Sequence, residues 1–193
     1  MRRRQFILTS SATIAASSLG LTGCTTTSAS KASDNADKRQ SINAGVDATL
    51  ARLYTTVNGS HELVSKARGV LVFPSVIQAG FWIGGQYGEG ALRVGGQTAG
   101  YYSTAGGSFG LQIGGQSKSI VYLFMTQDAL ERFRNSEGWA VGADATVAVA
   151  KVGANGNIDT STATAPVQAF VLTNAGLMAG VSLEGTKVSR LII

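Results

Sequence analysis

Apolar residues recur from Ile42 to Val57 at steps of four, four, three and four (Ile42, Val46, Leu50, Leu53, Val57), while Asn43, Asp47 and Arg52 fall elsewhere around the turn. That spacing predicts an amphipathic helix, and Asn58-Gly59 stops it. Its polar face carries too few Lys and Arg for a membrane-surface helix, so it is expected to cover the core. A shorter helix is predicted from Ser60, with Glu62 in its first turn, to about Ala67. After Gly69 the texture changes to short apolar or alternating runs separated by Gly: Val70–Phe73, Phe81–Gln86, Ala91–Gly95, Ser108–Ile113 and Ile120–Met125. These are strand lengths with turn punctuation. Thr126-Gln127-Asp128 opens another short helix, with Arg132 and Arg134 where cations suit the C-terminal dipole. Thr146–Val152 and Ile158–Thr164 are predicted as a hairpin around Gly153–Asn157, followed by strands at Val167–Thr173, Leu177–Leu183 and Lys187–Ile193, the last tucking the C-terminus into the core. The expected class is α+β: a mainly antiparallel curved sheet or barrel-like β core, with an N-terminal amphipathic helix and one or two short helices.

Two sets of glycines, Gly80, Gly84 and Gly88, then Gly106, Gly110 and Gly114, lie four residues apart. On strands each set falls on one face, and bare backbone there lets other elements cross the sheet closely. The tripeptide Gly-Gly-Gln occurs three times at unequal spacing, which does not make a repeat fold.

Composition narrows the chemistry. With 25 Gly in 193 residues and 14% charged residues, the chain is richer in Gly than the roughly 7% usual and well below the usual ~25% charged; it is too apolar for disorder and suits many turns. One Cys and one His exclude an intramolecular disulfide framework, and exclude a Cys/His zinc site or nucleophilic pair unless those two residues meet.

The start reads as an address. Met1-Arg2-Arg3-Arg4-Gln5, an apolar and small stretch from Phe6 to Leu19, and Leu21-Thr22-Gly23-Cys24 follow the order of a bacterial export signal. The last four residues resemble a lipobox, which implies acylation of the Cys24 sulfur and cleavage before it. Arg3-Arg4-Gln5-Phe6-Ile7 also resembles a twin-arginine signal. The expected organisation is a lipoprotein signal peptide over 1–23, a flexible spacer over 24–35 after acylated (palmitate-bearing) Cys24, and a single domain over 36–193. More than one acyl chain gives stable anchoring, and Thr25 in place of Asp points to the outer membrane of a two-membrane envelope. Cleavage leaves 13 Lys+Arg against 11 Asp+Glu, a net charge of +2 rather than +5, so the basic pI is no nucleic-acid footprint and no nucleic-acid partner is expected.

Catalytic apparatus is missing from the sequence. Gly88-Glu89-Gly90-Ala91-Leu92-Arg93 begins like a dinucleotide fingerprint but ends in Arg with no helix after it; neither a phosphate-binding G-x-x-x-x-G-K-[ST] nor a G-x-S-x-G is present. His61 beside Glu62 reads as a surface or capping residue. Glu89, Asp144 and Glu184 are scattered; Glu184 follows an apolar strand and sits between Leu183 and Gly185, which suits a partly buried, paired role, without a second positioned carboxylate for acid–base work. No catalytic residue, no metal and no cofactor is assigned, and a non-enzymatic protein is expected.

Four blocks then stand in order: Lys66-Ala67-Arg68-Gly69-Val70-Leu71-Val72-Phe73-Pro74; Gly80-Phe81-x-x-Gly84-Gly85-x-Tyr87-Gly88-x-Gly90; Gly107-Ser108-Phe109-Gly110-Leu111-Gln112-Ile113-Gly114; and Gly176-Leu177-Met178-Ala179-Gly180-Val181-Ser182-Leu183-Glu184-Gly185. With the preceding helix, this resembles the SYLF domain over about 150 residues. In eukaryotic trafficking proteins that family binds phosphoinositide membranes and, with adjoining segments, actin. Tyr101-Tyr102-Ser103 replaces the Trp-Ser-x-Pro-like block of many eukaryotic members, and no SH3 or FYVE module accompanies it. The resemblance implies a fold that binds acidic phospholipid headgroups. Lys66 and Arg68 lie in the family's basic block; Arg93, Lys118, Lys151, Lys187 and Arg190 add to a basic face if the fold gathers them, and Trp82 and Tyr87 suit a headgroup interface. The headgroup set is therefore Lys66, Arg68, Arg93, Lys118 and Trp82. The alternative is that the cations guard strand edges and Trp82 is core. The expected partner is a phospholipid membrane, with an envelope protein or cell-wall glycan bound by a scaffold as the second possibility.

Overall fold

The computed structural model describes residues 27–110, 116–150, 158, 164–178 and 182–193, with side chains except at 27–30, 79–83, 108–110 and 116. Cys24 and residues 1–23, read from the sequence as a signal peptide, lie outside the described residues. The first helix, α1 (Thr27–Thr56), begins before the expected domain start, so most of the segment read as a spacer is helical, with Lys31 to Asp34 exposed. Its apolar stripe is buried as the spacing requires: Ile42, Val46 and Leu53, with Val57 just beyond the helix. Gly59, at φ 81°, turns the chain into α2 (Ser60–Lys66). Ser60 is buried there, its hydroxyl donating to the carbonyls of Leu53 and Val57.

The strands that follow are β1 (Gly69–Val94), β2 (Gln97–Gly110), β3 (Gln116–Phe124), and, after α3 (Gln127–Asn135), β4 (Trp139–Ala140), β5 (Val147–Val149), β6 (Val167–Thr173), β7 (Gly176–Leu177) and β8 (Lys187–Leu191). They form one curled sheet in the order β4-β8-β2-β1-β3-β6-β5, with β7 paired to β6. The three runs expected as separate strands between Val70 and Gly95 are one 26-residue strand. Its first half pairs with β3 from Gly69↔Phe124 to Gln78↔Gln116, and its second with β2 from Trp82↔Gly110 to Val94↔Gln97. Between them the strand folds back. A Cβ on Gly90 would stand 2.0 Å from the Val72 carbonyl oxygen, and one on Gly88 2.7 Å from that of Ser75. Glycine is required there because the two halves cross in backbone contact, not because the chain turns. Register shifts between Phe73 and Val76 and between Leu92 and Arg93 add to the curl.

The sheet is mixed rather than wholly antiparallel, because Val147–Val149 runs parallel to Val167–Ala169. The hairpin expected around Gly153–Asn157 lies outside the described residues. The concave face of this half-barrel packs Leu71, Phe73, Ile120, Tyr122, Phe124 and Val171 against Leu130 and Phe133 of α3 and against Trp139. On the convex face, Val70, Val72, Val121, Leu123 and Phe170 meet α1. Burial on both sides explains why β1, β3 and β6 read as unbroken apolar runs rather than as alternation. Thr126 caps α3, its side chain accepting from the Ala129 N–H, with Asp128 in the first turn and Arg132 and Arg134 in the last. At the C-terminus Leu191 and Ile193 pack on the convex core while Ile192 is 95% exposed, so the end is only partly tucked in.

Candidate functional site

Lys66 ends α2 one turn after Glu62, and its Nζ lies 2.6 Å from Glu62 Oε1. That hydrogen bond, with the lysine's charge, holds the Glu62 carboxyl below its ordinary range. Both side chains are exposed, so the pair adds little to stability. Arg68 is exposed at the same end of the sheet; its backbone N–H donates to Phe124 O at 2.8 Å, and its guanidinium has no ion pair among the described residues.

Arg93 lies on the convex face, in the seam under α1. Its Nη2 is 2.8 Å from Asp47 Oδ1, and its Nη1 bonds to Thr98 Oγ1. Thr98 donates to Asn43 Oδ1 at 3.0 Å, and Asn43 Nδ2 donates to the Tyr101 hydroxyl at 2.9 Å. Lys38 to Glu89 at 2.8 Å and Arg52 to Ser119 at 3.0 Å fasten the same helix. Lys118 is buried on the concave side, opposite Val76 and in the alternate-residue row that continues to Ile120 and Tyr122. Burial pushes its ammonium pKa down. Seven residues of β1 separate its register position from the Arg68 end, roughly 20 Å at ~3.3 Å per residue. The fold therefore does not bring Lys66, Arg68, Arg93 and Lys118 onto one face. Trp82 sits at the Gly110 end of the β1–β2 ladder, but its side chain, like the whole of Lys151, lies outside what is described. Tyr87 is exposed and donates to Glu89 Oε1 at 2.8 Å, a bond that raises its pKa.

The cations that the fold does assemble are a different pair. Register sets Arg190 directly across from Tyr102. The Tyr102 ring packs on Phe133 with centroids 4.9 Å apart, and the next residue of α3 is Arg134. Both arginines line a cavity of about 410 Å³ with Ala99, Tyr102, Glu131 and Asn135. Burial raises the Tyr102 pKa, and the positive charges of Arg190 and Arg134 partly offset it. Sequence reasoning gave Arg134 to the helix dipole and counted Arg190 among the cations that add to a basic face if the fold gathers them; the meeting of these two depends on the pairing of β8 with β2, which no local pattern reveals.

The remaining candidates have structural settings. His61 is exposed and meets Tyr54 edge-on at 4.8 Å. Asp144 accepts from the Ala140 N–H at 2.6 Å. Glu184, expected to be partly buried and paired, is exposed in a turn between the buried Leu183 and Thr186. Among the described residues, no group of three or more His, Cys, Asp or Glu converges as a metal site, and no helix is long and apolar enough to cross a membrane.

A curled half-barrel with a cleft lined by two arginines that form no ion pair among the described residues is the class of domain these observations define. The model of the family described as Las17-binding protein actin regulator (Ysc84) matches residues 105–190, just under half of the chain. That stretch runs from β2 through β8 and takes in the third and fourth SYLF-like blocks and most of the basic cleft. No curated protein matches the chain.

Proposed function

We propose that this chain is a non-enzymatic envelope lipoprotein, anchored through acylated Cys24 and bound for the outer membrane, whose half-barrel associates with acidic phospholipid headgroups. The observation that carries the reading is that Arg134 and Arg190, both exposed, line one cleft without an ion pair among the described residues, with exposed Arg68 likewise unpaired there, on a domain with SYLF-type blocks. Unpaired cations gain from an anionic surface, at about 1 kcal/mol each when close to it, whereas Lys66 and Arg93 already have carboxylate partners. The acyl anchor raises the local concentration of the domain at the bilayer, so weak headgroup contacts suffice. Fractionation of the producing bacterium tests this. Wild-type protein is expected in the membrane fraction with acyl mass on Cys24, and Cys24→Ser protein exported behind a cleavable non-lipoprotein signal is expected to stay on membranes at low salt and leave at high salt. An unmodified Cys24, or a Cys24→Ser protein fully released at low salt, overturns the reading.

The matching family's description names a protein partner, which favours a scaffold as the second reading. A stoichiometric envelope protein or glycan retained by the Cys24→Ser chain in lipid-free extract would replace lipid association with that role.

A further inference from the structure

We propose that the cleft between the end of α3 and β8 is a phosphoryl-binding site, in which Arg134 and Arg190 grip the phosphate oxygens above the Tyr102 hydroxyl. The inference rests on the lipid reading only for one possible source of the phosphate, a headgroup, and stands without it if the source is a soluble phosphate ester.

The two guanidinium groups come from elements that are remote in sequence, and the sheet register and the Tyr102–Phe133 contact bring them to one cavity. Neither forms an ion pair among the described residues, although Glu131 lines the same cavity; that carboxylate accepts from Gln127 Nε2 at 2.9 Å, one turn back along α3. Two cations against one anion leave the cleft positive. Tyr102 is held in place, 6% exposed, with its ring lying against Gly100, where a Cβ would stand 3.3 Å from Cε2. The charges of both arginines act on its hydroxyl.

The donor count points to phosphate rather than carboxylate. Two arginine forks, a phenol and the Asn135 amide offer more N–H and O–H groups than the roughly four lone-pair sites of a carboxylate can take. A phosphomonoester presents three strong acceptor oxygens to such forks. The volume, about 410 Å³, is that of a small-ligand site, with room for the phosphate and a short polyol beyond it. Compensation of the helix dipole accounts for a cation at Arg134; it does not account for a second, unpaired one on β8 facing the same cavity.

The test uses residues 24–193, the chain left after cleavage, with Cys24→Ser. The arginine Nε–H signals of Arg134 and Arg190 are followed by NMR on titration with inorganic phosphate and glycerol 3-phosphate. Sedimentation is measured in parallel with phosphatidylcholine vesicles, with and without phosphatidic acid. Saturable shifts of both signals are expected, and about tenfold weaker binding for each guanidinium removed in Arg134→Ala, Arg190→Ala and their double variant. Arg134→Lys/Arg190→Lys, which keeps the charge and loses the fork, should bind at an intermediate level, and the charge-matched Lys31→Ala/Arg132→Ala like the parent. If the double Ala variant loses phosphatidic acid vesicles and glycerol 3-phosphate competes for them, the phosphate is a headgroup. If free esters saturate the site while vesicle binding is unchanged by the substitutions, it is a soluble ester; both results support the cleft. The proposal is overturned if no phosphate shifts those signals saturably and the double variant sediments like its parent. In that case the lipid reading survives as long as the parent still sediments, whereas a parent that ignores vesicles but binds phosphate keeps the cleft and loses the lipid reading.

Discussion

Gly90→Ala tests the fold at its most confined point. The added methyl would lie 2.0 Å from the Val72 carbonyl oxygen and 2.8 Å from Phe73 Cδ1, about 1.5 Å short of the ~3.5 Å of ordinary contact. Neither neighbour can move aside cheaply: Val72 and Phe73 are fully buried, one packed under α1 and the other on the concave core, and both stand in the ladder with β3. The halves of β1 must therefore separate. Overpacking of this kind costs typically 1–3 kcal/mol, and backbone rather than a flexible side chain puts this case near 3 kcal/mol. For a chain of this length that lowers the melting temperature by roughly 6–12 °C. Gly85→Ala is the matched control, since it lies on the same strand, is exposed and has nothing within 4 Å of its Cβ position. It should be neutral or more stable by about 0.4–1 kcal/mol through the unfolded chain. Urea titration followed by circular dichroism measures both. Equal midpoints for the two variants would refute the crossing of the β1 halves.

Other substitutions follow from the same structure. The Tyr122 hydroxyl is buried without a hydrogen-bond partner among the described residues, so Tyr122→Phe should stabilise the protein by about 1 kcal/mol at pH 7. Burial also raises the Tyr122 pKa: the unfolded tyrosine ionises near pH 10 while the folded one stays protonated, so stability is complete below about pH 10 and falls above it, a loss that Tyr122→Phe should reduce in thermal melts across that range. Lys118 has the opposite sign. Its folded pKa is lowered by burial, so the unfolded state binds more protons in the window below about pH 10.4, and stability from this residue rises with pH there; Lys118→Met should raise the neutral-pH melting temperature and abolish that rise, and a lower melting temperature would mean that the ammonium is paired. Removing the α3 cap with Thr126→Ala should cost about 1 kcal/mol by urea titration.

What the sequence disclosed was what local chemistry decides. The Thr126 cap, the Asn58-Gly59 stop and the apolar run at Val167–Thr173 place α3, the end of α1 and β6 where they stand. The continuity of β1 was hidden because its glycines look like turn residues; at Gly88 and Gly90 they serve a crossing that exists only once the strand has folded back. The parallel pairing of β5 with β6 was hidden for a similar reason, since neighbours in sequence favoured a hairpin. Arg93 and Lys118, expected to join Lys66 and Arg68 on a basic face if the fold gathered them, were dispersed: Arg93 went to Asp47, and Lys118 to the far end of the β1–β3 ladder. Arg134 and Arg190 came together instead, because cross-strand register, not sequence distance, decides which side chains meet.

Sedimentation of residues 24–193 carrying Cys24→Ser with anionic and neutral vesicles across a salt series tests most directly whether the folded domain recognises lipid. Binding to anionic vesicles at low salt that fades as salt screens the charges, with none to neutral ones, is the predicted result. A chain that stays in the supernatant with both would contradict the account and leave Cys24 as the only remaining link to the membrane.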